Sequence, residues 1–149
     1  MAFLVDTSVL GRLANRADPS FPLADRAVTE LHRRGELLHL TPQNLVEFRS
    51  AATRPTSANG LGLTPAVAET KAADFEAIFP LLVETADIYL AWKTLVVGAG
   101  AISKQVHDAR LVAVCHVNQI SHLLTFNTGH FARFATFAPG LVVVHPGSV

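Results

Sequence analysis

The chain has 149 residues with equal numbers of basic and acidic side chains, 12 of each, so its formal net charge is zero. Half of the residues are hydrophobic and 16% are charged, which excludes a disordered chain and favours a domain with a buried core. The neutral charge counts against tight nonspecific binding to nucleic acid, although it leaves room for a local basic patch. The single cysteine, Cys115, excludes an internal disulfide and fits a reducing compartment.

The sequence indicates neither a signal peptide nor a membrane span. No basic stretch precedes the first apolar run. No apolar run reaches the roughly 18 residues that a membrane span needs. We find no internal repeat and no interdomain linker. We therefore expect one cytoplasmic domain over residues 1–149, without a signal peptide and without a membrane partner.

Short apolar strands alternate with longer helical segments along the chain. A buried strand over Ala2–Val5 leads directly into Asp6, and Thr7 or Ser8 can cap the helix that follows. Proline and glycine signals and helical spacing predict helices over 9–15, 21–34, 41–54, 64–79, 85–97 and 105–118, and further strands over 36–40, 121–125 and 141–144. This alternation predicts an α/β domain with a mainly parallel central sheet.

Polar residues cluster where this sheet would present a ligand site. Asp6 and Thr125 each fall at the carboxyl end of a predicted strand, which is where ligands bind in such sheets. Glu47 lies in the helix that begins just after another strand, and Asp108 lies in the first turn of the helix over 105–118. Asn127 follows Thr125 two residues later. The topology therefore predicts that these side chains share one edge of the sheet.

Each acid has a simpler explanation when it is taken alone. Asp6 could cap a helix, Glu47 could be a solvated surface charge, and Asp108 could simply match the helix dipole. Taken together, clustered carboxylates repel one another unless a cation neutralises them. Hard oxygen ligands favour Mg²⁺ or Mn²⁺, and such ions suit the hydrolysis of phosphodiesters.

Four segments, in the order FLVDTSVL, TPQNLVEFRSAA, QVHDARLVAVC and HLLTFNTGHFARF, resemble the PIN domain. More narrowly, they resemble the VapC-like toxin ribonucleases of bacterial type II toxin–antitoxin systems. The resemblance implies a PIN-like three-layer α/β/α fold and a Mg²⁺- or Mn²⁺-dependent endoribonuclease that acts on structured RNA. It implies that Asp6, Glu47 and Asp108 bind the metal ion. Thr7 or Ser8 would support Asp6 or a metal-bound water.

The sequence departs from the family at one position of this site. The family often has the pattern T-x-D where this chain reads Thr125-Phe126-Asn127. Asn127 would then stand near the fourth acid, where its amide oxygen can bind a cation or its water but adds no charge. We therefore expect one bound metal ion more readily than two. The alternative function is a PIN-like RNA- or partner-binding protein with weak or no catalysis.

The resemblance also implies partners. Many members of the family are inhibited by an antitoxin that places a basic side chain in the acidic site, and many form homodimers. Each of the basic residues near the motif segments is better explained alone as a solvated surface charge, but collectively they could bind RNA phosphates. These residues are Arg12, Arg49, Arg54, Lys104 and Arg110.

Other chemistry-bearing residues fit less specific roles. The histidines lack the spacing of a zinc site, and helical spacing predicts that His116 lies in the core. Tyr89 and Trp92 are predicted as core or dimer contacts, and Cys115 as a small buried residue. A D-x-D phosphatase is disfavoured because Ser8 stands where the second acid would be.

Overall fold

The fold is built around four short parallel strands, described here in a computed structural model of residues 1–149. The strands are β1 (Ala2–Val5), β2 (Leu37–His39), β3 (His122–Leu124) and β4 (Val142–Val144), in the spatial order β2-β1-β3-β4. All three neighbouring pairs are parallel. The predicted α/β fold with its short, mainly parallel sheet is therefore confirmed.

Seven α-helices connect and cover these strands. None of them is long and apolar enough to cross a membrane. The helices are α1 (Thr7–Leu13), α2 (Phe21–Arg33), α3 (Pro42–Thr53), α4 (Pro65–Ile78), α5 (Ala86–Gly98), α6 (Gln105–Val117) and α7 (Thr128–Phe131). Short 3₁₀ turns lie at Thr56–Ala58, Ala132–Phe134 and Pro146–Ser148.

The helices cover both faces of the sheet. Successive strand residues point to opposite faces, so each strand contributes to both cores. In β1, Phe3 and Val5 enter the core that is filled mainly by α1, α2, α3 and α4. Leu4, which is fully buried, faces the opposite way and joins the core formed with α5 and α6. Leu124 and Leu123 divide between the same two cores. The fold therefore has three layers, in the order α/β/α.

The start of α1 and the segment after β3 differ from the sequence prediction. Asp6, rather than Thr7 or Ser8, is the N-cap of α1, with extended backbone angles and a side chain that accepts a hydrogen bond from the Ser8 amide. The helix therefore begins directly after the acid and not at residue 9. The short helix α7 (Thr128–Phe131) was not predicted, because four residues carry too little periodicity to identify a helix.

The core prediction for α6 was partly wrong. His116 is exposed, whereas Cys115 is buried, and burial raises the pKa of its thiol to about 12. The buried residues of α6 face the sheet and α5, and His116 lies on the side that neither of them covers. In α5, Trp92 is half-buried and its indole donates to the Val106 carbonyl over 2.7 Å, while Tyr89 is exposed.

Candidate active site

The site lies at the carboxyl edge of the two central strands. The backbone amide of Asp6 donates to the Leu124 carbonyl over 2.9 Å, and that of Thr125 donates to the Val144 carbonyl over 3.0 Å. The parallel ladder thus continues one residue past each strand and fixes both backbones. The chain leaves β1 toward β2 on one side, while β3 lies on the other, so this edge is a topological switch point.

The carboxylate of Asp6 is held by two hydroxyl groups. Its Oδ2 accepts hydrogen bonds from Ser8 Oγ (2.6 Å) and Thr125 Oγ1 (2.7 Å), and a longer one from the Ser8 amide (3.4 Å). The two hydroxyl oxygens in turn accept from the amides of Phe126 (3.1 Å) and Asn127 (3.0 Å). All of the side-chain hydrogen bonds of Asp6 end on Oδ2, which leaves Oδ1 as its oxygen for a ligand.

Glu47 is held from two sides. Thr7 Oγ1 donates to Oε2 over 2.9 Å, and Gln43 Nε2 donates to Oε1 over 2.7 Å. Asn44, which is fully buried, places its amide nitrogen 3.4 Å from the Thr7 hydroxyl. The two hydroxyl residues predicted to support the site therefore have separate contacts, Ser8 with Asp6 and Thr7 with Glu47.

Asp108 stands in the first turn of α6 with 22% of its side chain exposed. Burial is the largest cause of a pKa raised above the usual carboxyl value. The charges of Asp6 and Glu47 raise this pKa further, while His130, whose Nδ1 lies 3.8 Å from Oδ2, and His107 lower it. Asp6 and Glu47 are therefore both close enough to Asp108 to repel its negative charge.

One large cleft, of about 1170 Å³, joins these groups. All six predicted site residues line it: Asp6, Thr7, Ser8, Glu47, Asp108 and Asn127. Its basic lining consists of Arg12, Arg54, Lys104, His107, His130 and Arg133.

Two of the five predicted RNA-binding residues are placed outside this cleft. Arg49 pairs with Glu69 on α4, and the guanidinium of Arg110 donates to Glu84 over 2.8 Å. Neither arginine lines the cleft, whereas Arg12, for example, does.

The cleft offers a hard cation the oxygen donors it prefers, but not a closed cage. No three His, Cys, Asp or Glu side chains converge tightly enough to hold an ion directly between them. Mg²⁺ normally keeps several of its waters and takes only one or two carboxylates. The repulsion that Asp6 and Glu47 exert on Asp108 is one that a cation would relieve. The donor set therefore fits a hydrated divalent cation.

Two contacts of the site were missed by sequence reasoning. Thr125 was placed at the sheet edge without a role, and nothing local indicates that its hydroxyl donates to Asp6. Gln43 precedes Glu47 by one helical turn, so the i,i+4 spacing could have identified their contact.

No family model matches the chain, and no curated protein matches it in sequence. Solved structures do match its fold over nearly the whole length. VapBC2 from Rickettsia felis, bound to a promoter DNA fragment, gives a TM-score of 0.69 at 14% identity, covering 97% of this chain and 98% of that one. FitAB bound to a DNA fragment gives a TM-score of 0.69 at 17% identity, covering 99% of this chain and 96% of that one. VapC20 from Mycobacterium tuberculosis, a sarcin–ricin-loop-cleaving toxin, gives a TM-score of 0.64 at 22% identity, covering 87% of this chain and 93% of that one.

These matches confirm the predicted resemblance at the level of the fold. The chain has the three-layer PIN fold of the VapC-like toxins. At identities of 14% to 22% the similarity is one of fold, and the activity depends on the residues that line the cleft.

Proposed function

We propose that the chain is a Mg²⁺- or Mn²⁺-dependent endoribonuclease, the toxin of a toxin–antitoxin pair, which hydrolyses phosphodiester bonds of structured RNA. One observation carries the proposal. Asp6, Glu47 and Asp108 come from three separate elements and line one cleft at the switch point of a PIN-type sheet. A fold stabilised by burial alone gains nothing from gathering three acids that repel one another.

The chemistry follows from how the acids are held. Asp6 would bind the cation through Oδ1, because its other oxygen is occupied by Ser8 and Thr125. Glu47 and Asp108 would hold it directly or through its waters, and the Asn127 amide oxygen could add a neutral ligand. When bound, the ion would activate a water and stabilise the negative charge that develops on the phosphate.

The charge distribution of the cleft supports an RNA substrate. Basic side chains line the same cleft as the acids, including Arg12, Arg54, Lys104 and Arg133. Basic side chains in the same cleft as a metal site suit the phosphates on either side of the scissile bond. A net charge of zero is compatible with this, because four of the twelve Lys and Arg side chains line this cleft.

An antitoxin partner is supported by the solved structures. VapBC2 and FitAB are toxin–antitoxin complexes bound to DNA fragments. Without a cation, the three carboxylates in the cleft would accept the basic side chain of an antitoxin.

A homodimer is the assembly that we propose for the free protein, in the cytoplasm. The exposed apolar side chains of α5 support it: Tyr89 is 58%, Leu90 57% and Val97 82% exposed. Light scattering of the purified chain would separate a dimer from a monomer.

The competing function is a PIN-like RNA- or partner-binding protein with weak or no catalysis. The observation that favours it is Asn127, which lines the cleft where an acid would add charge. A binding protein would keep the basic lining and the fold but would not need the carboxylates.

One experiment separates the two functions. The purified protein is incubated with RNA in Mn²⁺ or in EDTA, and new RNA ends are mapped by sequencing. We expect cleavage at defined positions in Mn²⁺, none in EDTA, and a loss of at least about 100-fold in Asp6→Asn. RNA that is bound but not cleaved in Mn²⁺ would favour the binding protein. Cleavage that persists in both EDTA and Asp6→Asn would overturn the metal-dependent mechanism.

A further inference from the structure

We propose that Gln43 and Arg110 form a clamp between α3 and α6 that sets the position of Glu47 relative to Asp108 and thereby the affinity of the cleft for a divalent cation. The inference rests on the proposed function, since it concerns the same site. Neither residue lines the cleft, so both act as positioning residues.

Gln43 connects the two helices that carry the acids. Its Nε2 donates to Glu47 Oε1 over 2.7 Å on its own helix and to the His107 carbonyl over 3.0 Å on α6. An amide nitrogen has two protons, so it can make both hydrogen bonds at once. His107 immediately precedes Asp108, and the contact therefore ties Glu47 to the turn that presents the second acid.

Arg110 fixes the direction of this amide. Its Nη1 donates to Gln43 Oε1 over 3.1 Å, while its Nη2 donates to Glu84 Oε2 over 2.8 Å. A guanidinium has only donors, so the amide oxygen must face it and the amide nitrogen must face Glu47. Glu84 is held in turn by the Thr41 hydroxyl, at 3.1 Å.

A second polar route, from Arg110 through Glu84 to the Thr41 hydroxyl, ends at the N-cap of α3 and does not contact Glu47. Every hydrogen bond between α3 and α6 involves Gln43, either through its amide nitrogen to His107 or through its amide oxygen to Arg110. Glu47 otherwise receives only the Thr7 hydroxyl, which belongs to α1 and cannot fix the distance to α6. Loss of the clamp leaves each acid on its helix but removes the hydrogen bonds that tie Glu47 to the turn carrying Asp108.

The test compares Mn²⁺ affinity by calorimetry in Gln43→Leu and Arg110→Met with the wild-type protein. Loss of residues that orient metal ligands typically weakens metal binding by about 10- to 100-fold. We expect a loss of about tenfold in both variants, and near wild-type affinity in Arg110→Lys, which keeps a donor toward Gln43. Arg33→Met, which breaks a surface arginine contact on α2, is the matched control and should leave affinity unchanged.

The readouts separate this inference from the proposed function. If the wild-type protein binds Mn²⁺ but cleaves no RNA, the nuclease proposal fails while the affinities still test the clamp. Affinities of folded Gln43→Leu and Arg110→Met within about twofold of the wild-type value would overturn the clamp. A wild-type protein that binds no Mn²⁺ would also overturn the clamp. Metal-free RNA binding should be unchanged in both variants, and its loss would instead place these residues in the RNA interface.

Discussion

The Thr125 hydroxyl donates a 2.7 Å hydrogen bond to Oδ2 of Asp6, although 119 residues separate the two in sequence. Thr125 is fully buried and Asp6 is 6% exposed, so water cannot replace the lost donor easily. We expect Thr125→Val to destabilise the protein by about 1–3 kcal/mol, since it leaves a buried carboxylate short of a partner. Urea denaturation would measure this.

Two variants control for that experiment. Thr125→Ser keeps the hydroxyl group and should recover most of the stability. Thr53→Val makes the same chemical change at an exposed position, where the hydroxyl bonds only to the Arg49 carbonyl, and should stay within about 0.5 kcal/mol of wild type. Equal stability of Thr125→Val and Thr53→Val would show that the hydrogen bond to Asp6 contributes nothing.

Asn44 is expected to be another stability-determining polar residue. Its Oδ1 accepts from the buried Thr41 amide over 3.0 Å, and its nitrogen faces the Thr7 hydroxyl that supports Glu47. Asn44→Leu has a similar volume but orphans the Thr41 amide, so we expect a loss of about 1–3 kcal/mol in thermal or urea unfolding. Asn118→Leu, at a partly exposed helix end, should cost less. An equal loss in both variants would contradict this account.

Asp108 should reduce the stability of the metal-free protein. Burial raises its pKa, and the charges of Asp6 and Glu47 add to that effect, so the folded state disfavours the ionised form. We expect Asp108→Asn to melt higher than wild type at pH 7 in EDTA, by roughly 1–4 °C, as about 1 kcal/mol shifts Tm by that order in a chain of this size. The same variant should lose the proposed RNA-cleaving activity.

The sign of this effect depends on pH and on the metal ion. A raised pKa penalises the folded state above the ordinary carboxyl pKa, about 4, and not below it, where Asp108 is neutral in both states. The stabilisation by Asp108→Asn should therefore disappear as the pH falls below about 4. The proposed metal site exists only in the folded chain, so Mn²⁺ should raise the Tm of wild type more than that of the variant. A variant that is less stable at pH 7 in EDTA would refute the argument.

The sequence predicted those parts of the site that depend on local pattern. Ala2–Val5 is a strand because it is a short apolar run, and Asp6 follows it at the carboxyl edge of the sheet, where ligands bind in parallel sheets. Glu47 and Asp108 followed from their places near helix starts. The cleft brings all three to one place, as the topology predicted.

Contacts between distant segments could not be predicted in the same way. The bond from Thr125 to Asp6 depends on β3 lying beside β1, and the bond from Arg110 to Gln43 depends on how α6 packs near α3. The exposure of His116 has the same origin, because helix packing decides which side of α6 is covered. A single sequence does not show which distant segments pack against one another.

Two arginines of α3 and its end should differ in their effect on RNA binding. Arg54 lines the cleft, whereas Arg49 is paired with Glu69 outside it. We expect Arg54→Gln to weaken metal-free RNA binding and to reduce its dependence on log salt by about one unit, as loss of one phosphate contact does. Arg49→Gln should change the RNA affinity and its salt dependence less than Arg54→Gln does. The reverse order in a salt titration would place the RNA along α4 instead.

Asn127 should limit the cleft to one tightly bound cation. Its side chain lines the cleft but adds no charge to the three carboxylates of Asp6, Glu47 and Asp108. Calorimetric titration of wild type with Mn²⁺ should give one tight site, and Asn127→Asp should bind more tightly, by about tenfold, because a further carboxylate favours a divalent cation. Asn118→Asp, on the far end of α6, is the matched control and should change nothing. Two tight sites in the wild-type protein would contradict the prediction.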